Sequence, residues 1–295
     1  MDISLFLEEH QLPESYKDIA QKWFIPLAED LAEHQIGAKS PYFVGINGCQ
    51  GSGKSTLCDF LVYYLSQHKN LKVVSLSMDD FYLDQSSRNA LAVKVHPLLA
   101  TRGVPGTHDT RLALKTYEQL GLYGTASIPR FNKAIDNPFP VTEWPVVNTP
   151  VDIVLMEGWC WGVMPQAEAA LSVPVNTLEK EEDSLGIWRR FVNRQLANHY
   201  VPLYARMQSW VMLKAPSFDQ VYQWRTEQEH KLAARVGSDH PGIMSDQQIA
   251  RFIQHYQRLT EHGLATLPAK CDYVFHLDAQ RQIQQVEQKR EKVVE

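Results

Sequence analysis

The sequence has no apolar run near the roughly 20 residues needed to cross a bilayer, so a helical membrane span is not expected. It has no basic excess either: 29 Lys and Arg face 34 Asp and Glu, a net charge of −5. A dedicated nucleic-acid binder concentrates positive charge, so that class is not expected. Cysteine is scarce, at four residues: Cys49, Cys58, Cys160 and Cys271. No two have zinc-site spacing, and a chain of 295 residues needs no disulfide framework. Reduced thiols in a cytoplasmic protein follow. The opening stretch MDISLFLEEH lacks a basic segment ahead of an apolar core, and no arginine precedes Arg88. Those gaps argue against a signal peptide and an Arg-rich transit peptide. Repeats and low-complexity tracts are missing as well. What remains is ordinary globular composition, 44% hydrophobic and 21% charged, enough to bury a large core.

Residues 1–40 read as a helical preface, with Ile19, Trp23, Leu27 and Leu31 at helical spacing. Five short apolar segments read as strands, near 42–47, 71–77, 151–157, 209–215 and 272–277. Helical patterns separate them, notably after Lys54 and over 186–204, 217–235 and 245–263. Strands alternating with helices predict a layered α/β fold with a mainly parallel sheet. Residues 84–150 are irregular, with one clear helix over 109–121, and read as a binding insertion. The acidic run Glu179, Glu181, Glu182 and Asp183 reads as a solvated loop, and the tail from Gln280 as a fraying helix. No composition break marks a linker, so residues 1–295 are expected to form one domain.

Gly48-Cys49-Gln50-Gly51-Ser52-Gly53-Lys54-Ser55 matches G-x-x-x-x-G-K-[ST] in full, with Thr56 following. It lies between an expected strand and an amphipathic helix, the setting the motif requires. Glycines let the backbone curl its N–H groups toward phosphate oxygens. The helix beginning at Lys54 adds its positive end. Lys54 supplies charge for the β- and γ-phosphates of ATP, and the Ser55 hydroxyl is placed for Mg²⁺. A GTPase would carry N-K-x-D. The nearest string, Asn132 to Asp136, has one residue too many. A kinase acting on a small molecule is the remaining broad reading.

Transfer to a hydroxyl needs a carboxylate near the acceptor proton and positive charge over the moving phosphoryl group. Ser77-Met78-Asp79-Asp80-Phe81-Tyr82 places two carboxylates at the carboxyl end of the second strand, where an open α/β sheet holds ligands. Asp79 is the expected base and Asp80 its local rival. Glu157 closes the third strand, placed to hold Mg²⁺ or to orient the base.

GINGCQGSGKST, SMDDFYL, RGVPGTHD, PRFNKA and EGWCWG occur in that order. Together they resemble the D-glycerate 3-kinase family, related to uridine kinase, phosphoribulokinase and bacterial pantothenate kinase. The likeness covers most of residues 41–278. It implies a P-loop kinase sandwich with strand order 2-3-1-4-5, an acceptor-binding insertion at 84–150 and a helical lid within 217–263. It implies transfer of the ATP γ-phosphoryl group to the 3-hydroxyl of D-glycerate. Asp79 matches the acceptor-side aspartate. Asp80 and Tyr82 share its motif, Arg102, His108 and Asp109 fall in the acceptor-lobe motif, and Arg130 and Lys133 fall in PRFNKA. Asp109 also reads as the N-cap of its helix. Arg225 lies in a "WR" string like that of the lid helix, with Arg189, Arg190 and Arg194 as competitors, and is expected in solvent until the lid closes. Two rival functions stand beside this one: a kinase of another small hydroxylated acceptor, and an ATP-binding regulator with little turnover.

Overall fold

A computed structural model describes residues 3–38, 41–236 and 244–289. The ends of the expected preface and tail, and residues 237–243 of the expected lid, lie outside the described residues. Six strands form the central sheet: β1 (Tyr42–Gly48), β2 (Val73–Ser77), β3 (Ile153–Gly158), β4 (Ser209–Lys214), β5 (Tyr273–Leu277) and β6 (Ile283–Gln288). Their order is β6-β5-β4-β1-β3-β2. The first five are mutually parallel, in the expected order 2-3-1-4-5. Every residue of β1 and β3 is buried, as a strand covered on both faces requires. On the edge strand β2 only alternate residues are buried.

β6 corrects the expectation of a terminal helix. It runs antiparallel to β5. Its two apolar residues, Ile283 and Val286, are partly buried but three apart, and the rest are polar, so no apolar alternation marks the strand. The open edge of β5 supplies the pairing that makes this segment a strand.

The helices mostly follow the apolar spacing, with shifts of physical origin. A π-helical turn, Ala20–Phe24, sits inside the preface. It inserts extra backbone per turn and rotates the buried face. Around and after this turn Ala20, Phe24, Leu27, Ala28 and Leu31 are therefore buried, while Ile19 and Trp23 are only partly covered. Helix Gln85–Lys94, unread in the sequence, has one fully buried side chain, and it is Arg88. Arg88 donates to the carbonyls of Leu83, Ala100 and Asp136 and pairs with the Asp136 carboxylate. A helix anchored by an arginine shows no apolar stripe.

The acidic run is another correction. Thr177–Glu182 is helical, and Glu179 is wholly buried against Arg258 at 2.6 Å. Asp183 is buried too and pairs with Arg189 at 3.0 Å. Both partners lie distant in the chain or around a turn, so local composition alone misread these carboxylates as solvated.

Candidate active site

The carboxyl ends of three neighbouring strands are level. Ile46 of β1 pairs with Glu157 of β3, which pairs with Ser77 of β2. That register brings the loop after β1, the end of β3 and the turn after β2 to one edge of the sheet. A cleft of about 480 Å³ opens there, lined in part by Gln50, Gly51, Lys54, Ser55, Asp79 and Glu157.

The loop Gly48–Gly53 leads into helix Lys54–Lys69. Gly51 has φ of 78° and Gly53 of 90°, both left-handed. At Gly51 space forbids a side chain as well, because a Cβ would lie 2.9 Å from the Cβ of Trp224. Cys49 and Ser52 are buried within the turn. Lys54 Nζ sits 3.7 Å from Glu157 Oε2, and Ser55 Oγ sits 3.5 Å from Glu157 Oε1. Burial works against the Lys54 charge, but the carboxylates of Glu157 and Asp79 outweigh it and hold the ammonium above its ordinary range. Glu157 is itself buried, and its Oε2 has no hydrogen-bond donor. Thr56 follows on the first turn of the helix.

Asp79 and Asp80 lie on the short 3₁₀ turn Met78–Phe81. Asp79 Oδ1 accepts from the Tyr82 hydroxyl at 2.7 Å, and Oδ2 accepts from Lys133 at 2.6 Å. Desolvation opposes its charge, yet Lys133, Lys54 and the Tyr82 hydroxyl hold the carboxyl down at about 2. Asp80 is occupied differently. Its oxygens accept from Arg130 and from the Phe131 N–H, at 3.1 and 3.2 Å. Burial raises its pKa. Asp80 thus pins the segment 130–133 to the sheet edge, while Asp79 faces the phosphate loop.

The remaining acceptor-side residues separate into groups. Arg130 and Lys133 line the cleft. Arg102 pairs with Asp136 and lies 5.6 Å from the Phe131 ring centre. His108 is buried, stacked on Tyr82 at 4.5 Å, with Nδ1 2.6 Å from the Tyr200 hydroxyl. Burial pushes its pKa down to about 3, so the imidazole is neutral near pH 7. Asp109 caps helix Thr110–Leu120 by accepting from Leu112 at 2.9 Å and does not line the cleft.

No protein-family model matches the chain. An uncharacterised kinase of Schizosaccharomyces pombe is 36% identical over 241 residues, covering 78% of this chain and 83% of that protein. The chloroplastic D-glycerate 3-kinase of Arabidopsis thaliana is 30% identical over 262 residues, 84% of this chain and 54% of the plant protein. The solved D-glycerate 3-kinase of Cryptococcus neoformans var. grubii superposes with a TM-score of 0.75 at 25% identity, over 92% of this chain and 99% of the other. The chain belongs to the P-loop kinase family that contains the D-glycerate 3-kinases. It is an ATP-dependent phosphotransferase acting on an alcohol.

The kinase holds Arg225 largely out of solvent, with 18% of its side chain exposed. The residue lies on helix Phe218–Val236, pairs with Glu229 at 2.7 Å and sits 5.8 Å from the Phe252 ring centre. Glu229 is only 2% exposed. Gln228, nearly one turn further along, lines the cleft where Arg225 does not. Arg189 is buried against Asp183, Arg190 pairs with Glu168, and Arg194 is exposed; none of the three lines the cleft. Arg225→Ala is therefore expected to lower the melting temperature by about 2–6 °C, since a buried carboxylate loses its cation. It should also lower kcat per folded molecule. Thermal melts beside initial rates check both, and a normal kcat would leave Arg225 a structural ion-pair partner.

Cleft residues that sequence reasoning passed over are Cys58, Asp59, Ser75, Ser77 and Gln228. Cys58 and Asp59 follow Lys54 and Ser55 at i, i+4, so helix geometry carried that signal. Gln228 stands in the same string as Arg225 and was legible only by its neighbours. Tyr256 also escaped notice: it packs edge-on against Trp159 at 4.9 Å and donates to the Arg102 carbonyl.

Proposed function

We propose that this kinase transfers the γ-phosphoryl group of ATP to the 3-hydroxyl of D-glycerate, giving 3-phosphoglycerate and ADP. The observation that carries this reading is Asp79, ionised at the sheet edge between the phosphate-loop Lys54 and the cations Lys133 and Arg130. The acceptor oxygen attacks the γ-phosphorus, its proton passes to the Asp79 carboxylate, and the bond to the ADP oxygen breaks. Lys54 and the loop N–H groups of Gly48 to Ser55 bind the phosphates and meet the charge that builds on the transferring group. Arg130 and Lys133 offer a small acid the ionic partners that its scant apolar area cannot replace. Residues 84–150 form the acceptor insertion and the helices within 217–263 the lid of one domain. Tyr82, Arg102 and His108 shape the acceptor side from behind, and Asp109 does so through its helix.

The donor set also fits Mg²⁺. Glu157 Oε2 is buried without a donor, Ser55 Oγ lies beside the same carboxylate, and all the groups are hard oxygens. Ser55 and Glu157 would hold the ion, which supplies charge neutralisation across the β- and γ-phosphates when bound. Among the described residues no cluster of three or more His, Cys, Asp or Glu could hold a metal by itself. No described helix is long and apolar enough to cross a membrane. Four buried free cysteines support a cytoplasmic setting.

A nucleoside acceptor needs an open aromatic face for its base. Tyr82, Phe131 and Trp159 are each less than a tenth exposed, and their rings are committed to one another, to His108 and to Tyr256. That arrangement favours the small acid. The test is coupled ADP release with ATP over a panel of hydroxy acids, nucleosides and pantothenate, with products identified by mass. D-Glycerate should show by far the highest kcat/KM. Turnover of another acceptor without phosphoglycerate would end the glycerate reading, and ATP binding with no acceptor-dependent ADP release would favour the regulatory one.

A further inference from the structure

The turn between β5 and β6 holds an arginine where the backbone favours glycine or asparagine. Arg281 has φ of 66°, a left-handed conformation that crowds a Cβ. Asp278 braces the turn: its Oδ1 accepts the N–H groups of Gln280 and Gln282, and its carbonyl accepts that of Arg281. From there the guanidinium reaches three partners. Nε donates to the Gly51 carbonyl at 2.8 Å, and a terminal nitrogen donates to Glu227 at 2.6 Å. The group also lies 5.2 Å from the ring centre of Trp224, whose indole N–H returns a hydrogen bond to the Ala279 carbonyl at 2.8 Å. Trp224 and Glu227 belong to the helix that carries Arg225 and Gln228.

Gly51 is the pivot of the phosphate loop. A glycine at φ of 78° leaves its following peptide plane free to flip unless both ends are tied. The Ser52 N–H is tied to the Cys49 carbonyl at 3.1 Å, and the Gly51 carbonyl is tied to Arg281. A flip would reverse both dipoles in a loop whose N–H groups must meet phosphate. Trp224 closes on Gly51 from the helix side. The loop thus meets the helix directly at Trp224 and, through Arg281 of the 279–281 turn, at Glu227.

We infer that Arg281 is a positioning residue for the nucleotide: it locks the Gly51 peptide and ties the phosphate loop to the helix bearing Arg225 and Gln228. The inference rests on the ATP-binding reading above. Strain at the turn is consistent with it, because the left-handed backbone is what aims the guanidinium across the gap.

Two variants of the full chain test it. Arg281→Asn keeps a residue that accepts the left-handed backbone and removes the guanidinium. Arg281→Lys keeps the charge toward Glu227 and loses the planar fork that bonds two partners at once. Binding of a non-hydrolysable ATP analogue is measured by calorimetry, followed by KM for ATP, KM for the acceptor and kcat. Both variants should weaken analogue binding and raise KM for ATP about tenfold, the order of one lost charge-assisted hydrogen bond. KM for the acceptor should stay at the wild-type value. Unchanged analogue affinity in Arg281→Asn would overturn the inference, and a fall in melting temperature alone would make Arg281 a mere strut. Full affinity in Arg281→Lys would overturn the peptide lock. A wild-type chain that fails to bind the analogue would overturn the ATP reading together with this one.

Discussion

Lys54→Ala is expected to cut kcat by about a hundredfold to a thousandfold, the scale of losing one preorganised contact to transition-state charge. Lys54 Nζ stands between two carboxylates, Glu157 and Asp79, at the mouth of the phosphate loop. Its side chain packs no part of the apolar core, so the fold should persist. The variant nonetheless leaves Glu157 buried without its cation. A melting temperature lower by a few degrees is therefore expected, together with weaker ATP binding. Coupled ADP release and calorimetric titration with ATP measure the two effects. Activity within about tenfold of wild type would remove Lys54 from the reaction.

Asp79→Asn should reduce kcat by about 10²–10⁴ while leaving ATP affinity nearly unchanged, because an amide keeps the shape and cannot take the acceptor's proton. Its neighbour provides the control. Asp80→Asn frees Arg130 and the Phe131 N–H, so it should loosen the 130–133 segment and raise KM for the acceptor more than it lowers kcat. A larger kcat loss in Asp80→Asn would exchange the two roles. The same carboxyl has a signature in acid. Asp79 is held at about 2 in the folded chain against an ordinary 3.8. Its stabilising contribution is full above the ordinary value and is lost as pH falls through about 2. Asp79→Asn should therefore flatten the loss of stability in that window, read from denaturant midpoints across pH. A strong base is not required, since a loose phosphoryl transition state asks for little prior activation of the acceptor oxygen.

Local rules sufficed for the phosphate loop, for the helix that Asp109 caps and for the five parallel strands. Each depends on backbone conformation or on apolar spacing within a few residues. The same rules placed Asp79 and Glu157 at strand ends. Family-like strings then supplied the strand order and the acceptor side, which no local pattern contains.

Long-range pairing decided the rest. Glu179 is buried because Arg258 lies 79 residues further along the chain to receive it. Arg88 anchors a helix through carbonyls from three separate segments. Arg225 is turned to Glu229 by the same helix that presents Gln228 to the cleft, a choice of face that depends on the neighbouring helix and its Phe252. β6 is a strand because β5 offers an open edge, and Arg281 reaches Gly51 only because that hairpin folds back across 230 residues of sequence. Charged side chains carry no periodic mark of burial. Their partners arrive from elsewhere in the chain, and only tertiary contact decides which of them face solvent, which brace the fold and which line the cleft.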